Sequence, residues 1–101
     1  MVVVRDIFRV KFGQSKEAVA LWKEAAAALR TPGHGATNVR LLTDLAGPSY
    51  YTVVLESTFN SVSDWEKAHF AARDNAPWKA IYAKIIPYTE SGHREILSVV
   101  A

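Results

Sequence analysis

The apolar period of this 101-residue chain switches several times between two and about 3.6, and the order of those switches restricts the fold more than any single motif does. Residues 2–12 alternate: Val2, Val4, Phe8, Val10 and Phe12 fall on one face, and Arg5, Arg9 and Lys11 share the other with Val3 and Ile7. A strand with one buried face is predicted. Gly13-Gln14-Ser15 interrupts it, Ser15 is placed to cap a helix, and Ala18, Trp22, Ala25 and Leu29 then recur at helical spacing, predicting a helix over 16–30. Pro32 between Thr31 and Gly33-His34-Gly35 opposes regular structure and predicts a loop.

Strands are predicted over 37–45 and 50–59, joined as a hairpin through the turn signal Ala46-Gly47-Pro48-Ser49. Ser63-Asp64-Trp65-Glu66 reads as a capping box, and Trp65, His69, Ala72 and Ala76 make the inner face of the helix it opens. Asp74-Asn75-Ala76-Pro77 breaks that helix. Pro77 suits the first turn of a further short helix with Trp78, Ile81, Tyr82 and Ile85 on its stripe. Pro87 ends it, and residues 91–100, with Ile96, Leu97, Val99 and Val100, form a β-prone run for a fourth strand.

The resulting βαββαβ order predicts an α+β chain of the ferredoxin-like class, a single domain over 1–101. It has a four-stranded antiparallel sheet, helices on one face, and a second helix split near Pro77. Strand 3 places Tyr51, Val53, Leu55 and Phe59 on one side and Tyr50, Thr52 and Val54 on the other, so the sheet face away from the helices is also apolar. A second copy of the chain is the economical cover, giving a homodimer whose two sheets close a barrel-like core.

Composition narrows the functional classes. Half the residues are hydrophobic and 22% are charged, which suits a packed core rather than disorder. No cysteine is present, so disulfides, thiolate metal sites and a cysteine nucleophile are excluded, and a cytoplasmic setting is expected. No apolar run approaches membrane-spanning length, and Arg5 and Asp6 interrupt the N-terminal run, so neither a membrane nor an export signal is expected. Twelve Lys and Arg against ten Asp and Glu give +2, dispersed rather than striped, which argues against nucleic acid as a partner.

The split helix around Asn75-Ala76-Pro77-Trp78, with Ile86-Pro87-Tyr88 and the later Arg94-Glu95-Ile96-Leu97, resembles the dimeric α+β barrel superfamily, and within it the NIPSNAP-type proteins, which are related to antibiotic-biosynthesis-monooxygenase-like domains. The resemblance covers essentially the whole chain but rests on packing signals. It implies a homodimer with a pocket between sheet and helices. The superfamily includes cofactor-independent monooxygenases, haem-degrading enzymes, small isomerases and members without assigned activity. The haem-degrading pattern of an Asn, a Trp and a helical His is poorly matched: the segment from Trp78 to Lys84 offers Tyr82 and no His, and the first strand has no Asn. No haem, no other cofactor and no metal are expected.

His69, on the same predicted face as Trp65, is a candidate acid, base or ligand contact, set against a packed histidine with one satisfied N–H. Glu56 lies mid-strand with Thr52, Val54 and Thr58, and Arg40 on the neighbouring strand is its expected partner, either as a structural ion pair or as a polar anchor in a pocket. Arg40, Glu56, Trp65, His69 and Trp78 are therefore the candidate substrate-binding residues, with His69 and Glu56 the catalytic candidates. Trp22, Trp65 and Trp78 read as core or as stacking surfaces for a planar ligand. Asp6 is either solvated near a strand end or buried and paired, and His34 is either an exposed loop residue or part of a lid. His93 and Glu95 share a strand face but lack a third ligand, and Phe70 points away from the Trp65 stripe toward another chain or helix.

Two functional readings follow. One is a small dimeric barrel protein that binds or transforms a small, apolar or aromatic molecule between sheet and helices, with cofactor-independent monooxygenase chemistry as a special case. The other is a non-catalytic structural or interaction protein. Cavity volume separates them: an enclosed pocket of roughly 300 Å³ or more beside His69 or Glu56 supports the first, and side chains filling that space support the second.

Overall fold

A computed structural model describes residues 1–31, 33–47 and 50–101. The elements follow in the order β1 (Val2–Val10), α1 (Ser15–Leu29), β2 (Asn38–Thr43), β3 (Thr52–Phe59), α2 (Val62–Arg73), α3 (Ala76–Ile85), a 3-10 turn (Ile86–Tyr88) and β4 (Thr89–Ser98). The strands form one antiparallel sheet in the order β2-β3-β1-β4, the ferredoxin-like topology. Of the predicted loop and hairpin turn, Pro32 and Pro48-Ser49 lie outside the described residues.

Alternation decides which side chains meet the helices. In β3, Val53, Leu55, Ser57 and Phe59 are all buried, and their partners across the ladder, Phe8, Asp6, Val4 and Val2, share that face. The core there forms two clusters. The larger joins Trp22, Ala18, Ala25 and Leu29 of α1 to Val10, Val53, Leu55 and Ile85; the smaller joins Val4 and Phe59 to Ala68 of α2. Helix α1 buries Ala18, Trp22, Ala25, Ala26 and Leu29, whereas α2 buries Ala68 alone and α3 Ile85 alone, so the roof is closely packed over α1 and thin over α2 and α3.

Several predicted boundaries move for local reasons. Phe12 is not on the buried face: β1 ends at Val10, the chain turns at Gly13 with φ +77°, and Phe12 is left exposed with its edge toward Tyr51. Tyr51 has φ +58°, a left-handed conformation outside the β region, so β3 starts at Thr52 rather than at residue 50. Ser15 does not cap α1; Gln14 occupies that position and its side chain makes no capping bond.

The capping box is replaced as well. Ser61, in extended conformation, accepts from the Asp64 backbone N–H at 3.1 Å, and Ser63 already lies inside the first turn. Ala76 is exposed and opens α3 instead of lining α2, since the chain is broken at Asp74 and restarted where Asn75 Oδ1 accepts from the Trp78 N–H. The predicted split at Pro77 is present, with Pro77 in the first turn of α3.

The other sheet face carries a charged row across an apolar field. Arg40, Glu56, Arg5 and Glu95 stand opposite one another on four adjacent strands, flanked by Val3, Ile7, Leu42, Val54 and Leu97. No helix of the described residues covers them. Nor is any described helix long and apolar enough to cross a membrane.

Candidate functional site

A cleft of about 400 Å³ lies between the sheet and the helices, and its walls draw on both core clusters. Trp65, His69 and Ala72 line the space from the thin α2 roof, Trp65 packing against the Val4, Phe59 and Ala68 cluster at its end. Phe8 and Phe59 rise from the sheet, Trp22 comes from α1, and Trp78 and Tyr82 close the side from α3.

The aromatic walls are held by one another. Trp22 stacks on Phe8 with centroids 4.7 Å apart, Trp65 stacks on His69 at 5.2 Å, and Trp78 on Tyr82 at 6.1 Å. Arg94 places its guanidinium carbon 5.1 Å from the Trp65 centroid and pairs with Asp6, its partner across the β1–β4 ladder. Asp6 is therefore the paired alternative, not the solvated one. His34 tilts against Phe59 at 5.8 Å and joins the wall, flanked by Gly33 and Gly35 at φ +91° and +95°.

Both histidines of the cleft are biased toward the neutral form. Burial lowers the His34 pKa from its ordinary 6.5. For His69, burial acts first, Arg94 and Arg73 push the same way, and the Asp6 carboxylate opposes them, with a net lowering from 6.5. Near neutral pH the His69 imidazole can accept a proton or a hydrogen bond, and it sits beside flat aromatic surface. That suits orientation and proton transfer on an aromatic ligand.

Trp65, His69 and Trp78 thus share one cleft, but Arg40 and Glu56 stand on the opposite face of the sheet. Successive residues of a strand point to opposite sides, so Glu56 cannot reach the cleft that its neighbours Leu55 and Ser57 line. Glu56 is the buried centre of an ion-pair triad. Arg5 Nε donates to Oε2 at 3.0 Å, while Arg40 donates to Oε1 from Nε at 3.0 Å and also from Nη2. Burial raises the Glu56 pKa, but the hydrogen bonds and charges of Arg40 and Arg5 outweigh it and hold the carboxyl below its ordinary 4.5. The expected Arg40–Glu56 pair is present in its structural form, with Arg5 as an added partner.

His93 and Glu95 lie on that same open face, their partners in β1 being Ile7 and Arg5. Among the described residues no group of three His, Asp or Glu could hold a metal ion. Phe70 is exposed, meets His69 edge-on, and has the Arg73 guanidinium 5.7 Å from its ring centroid. Arg94, Tyr82 and Phe8 line the cleft without having been singled out from the sequence.

Gly92 sits behind Phe8. A Cβ there would stand 2.7 Å from Phe8 Cδ1, and that ring is wedged against Trp22. Gly92→Ala is expected to cost about 1–2 kcal/mol by overpacking, read as a lower denaturation midpoint. An unchanged midpoint would mean that the Phe8 ring moves aside freely.

No protein-family model and no curated protein sequence matches the chain. Solved structures do. An uncharacterised NIPSNAP domain protein from Burkholderia xenovorans aligns with a TM-score of 0.85 at 20% identity, covering 100% of this chain and 96% of that one. A NIPSNAP family protein from Agrobacterium tumefaciens aligns at 0.82 and 22%, covering 96% and 90%. SnoaB, a cofactor-independent oxygenase from Streptomyces nogalater, aligns at 0.72 and 14%, covering 99% and 93%. At these identities the likeness speaks for architecture, and the chain has the ferredoxin-like α+β fold that NIPSNAP family proteins share with antibiotic-biosynthesis-monooxygenase-like proteins.

Proposed function

We propose that this protein binds a small, largely apolar or aromatic molecule in the cleft between sheet and helices, and does so as a homodimer. The observation that carries the binding half is the cleft itself: about 400 Å³ beside His69, within the range of small-ligand sites, walled by Phe8, Phe59, Trp65 and Trp78 with Asp6, Arg73, Lys79 and Arg94 among the polar groups at its edge. Side chains that merely filled the interior would leave no such space. Ala72 lines the cleft and is only half-buried, so Ala72→Phe should fill it without disturbing the two core clusters. An aromatic ligand that raises the melting temperature of the parent protein should leave that of Ala72→Phe unmoved; an equal rise in both would place binding elsewhere.

The dimer reading rests on the uncovered face. Val3, Ile7, Val54, Leu42 and Leu97 surround the Arg40–Glu56–Arg5 ion-pair triad there, and a second copy is the partner that buries the same patch on both sides. Light scattering should give twice the 11.2 kDa chain mass at micromolar concentration, and Val54→Lys should return it to the monomer. A parent protein that scatters as a monomer overturns this half alone.

A further inference from the structure

The open face of the sheet carries its charges in one line and in strict alternation of sign. Arg40, Glu56, Arg5 and Glu95 stand opposite one another on β2, β3, β1 and β4, reading plus, minus, plus, minus from one sheet edge to the other. Within one chain the row is incomplete. Glu56 takes both arginines, whereas Glu95 is exposed and forms no ion pair among the described residues, and Arg5 and Arg40 keep about half of their side-chain surface exposed.

Symmetry limits how such a row can meet its own copy. When two identical sheets face one another, the two-fold axis lies in the plane between them, since only then does the rotation exchange the two sides. An axis running across the strands sets the row on itself, arginine over arginine and glutamate over glutamate, or slides it onto the aliphatic rows beside it. Both arrangements are electrostatically poor. An axis running along the strands, between β3 and β1, reverses the row instead. Every charge then meets its opposite: Arg40 lies over the partner's Glu95, and Glu56 over the partner's Arg5.

The same rotation suits the neighbouring row. Leu42, Val54, Ile7 and His93 stand opposite one another two residues along the strands, and reversal lays Val54 over the partner's Ile7, apolar on apolar. Facing sheets stand about 10 Å apart and cross at about 30°, a gap and an offset that an extended arginine and a glutamate span between them.

We infer that the second copy docks with its charge row reversed, so that Glu95 of each subunit pairs with Arg40 of the other and extends the Arg40–Glu56–Arg5 triad across the interface. Glu95 is then a residue that sets the orientation of the dimer, and a sheet with another order of charges is a poorer partner. This inference rests on the homodimer proposed above and adds its axis and its residue pairs.

Glu95→Lys tests the charges. It sets like charge against the partner's Arg40 at both symmetry-related contacts, and the dimer dissociation constant from analytical ultracentrifugation should rise by about tenfold or more. With the row set on itself, the same change only exchanges one like-charge contact for another and leaves the constant where it was. The parent dimer should also loosen with added salt.

Because the chain has no cysteine, introduced thiols report the orientation directly. Reversal brings Leu42 of one subunit opposite the partner's His93, so Leu42→Cys chains mixed with His93→Cys chains should give a covalent heterodimer with a short bismaleimide. Neither variant alone should cross-link, since the two copies of each position lie at opposite edges of the interface. No cross-link in the mixture, cross-linking of either variant to itself, or an unchanged dissociation constant in Glu95→Lys overturns the reversed row and leaves the dimer standing. A parent protein that scatters as a monomer at micromolar concentration overturns the dimer and this inference with it.

Discussion

Trp22→Ala is expected to lower the melting temperature by on the order of 20 °C, the largest single-residue effect on this fold. Trp22 is the largest of the fully buried side chains, and it holds Phe8 by stacking at 4.7 Å while facing Val53, Leu55 and Ile85 in the main cluster. Truncating a buried aromatic to Ala costs about 3–5 kcal/mol, through lost transfer free energy and the cavity left behind. Against a total stability of roughly 5–15 kcal/mol that is a large share. The adjacent cleft aggravates the loss, because a wall that already borders open space has less around it to collapse inward. A calorimetric drop of less than about 5 °C, near one kcal/mol for a domain of this size, would show that Phe8 and α3 close over the gap.

Acid should destabilise the protein in two stages, and Glu56→Gln should remove the second. The Glu56 carboxyl titrates below its ordinary 4.5 in the folded chain, so its contribution is fully present above pH 4.5 and is lost as pH falls through the lowered folded value. The histidines act earlier. Their folded pKa values lie below 6.5, so the unfolded chain takes up protons first and stability starts to fall as pH drops below 6.5. Melting temperature against pH should show both segments in the parent protein and only the upper one in Glu56→Gln. At neutral pH that variant should cost about 1–2 kcal/mol, toward the low end for a charged hydrogen-bonded group, because Arg5 and Arg40 are half-exposed and recover hydration. An unchanged slope below pH 4.5 would place the acid sensitivity elsewhere.

The candidate site was legible in the sequence where it depends on helical spacing. Trp65 and His69 are four residues apart, so one turn of α2 brings them to the same face whatever α2 packs against, and they do stack. Trp78 follows from Asn75 and Pro77, which fix where α3 begins. Arg40 and Glu56 are linked to one another by the β2–β3 register, and alternation puts Glu56 on the face of Thr52, Val54 and Thr58, but the cleft lies on the other face. Their polarity amid apolar neighbours fits a pocket anchor and an ion pair on an open sheet equally well.

Asp6 and Arg94 stand 88 positions apart, and only the β1–β4 pairing makes them partners. His34 reaches the cleft because a loop with two left-handed glycines folds back over Phe59, a direction that no periodicity encodes.

What the sequence determined by itself, then, is the set of elements and their order: alternation made the strands, the stripe of Ala18, Trp22, Ala25 and Leu29 made α1, and Pro77 split the helical layer. Such features are local, set by backbone sterics and by which residues of a segment are apolar. The tertiary structure alone decided which residues share the cleft, which carboxylate meets two arginines, and that the core divides into two clusters with space between them. These depend on strand register and on how far the thin α2 roof stands from the sheet, and such distances come from the balance of packing across the whole domain.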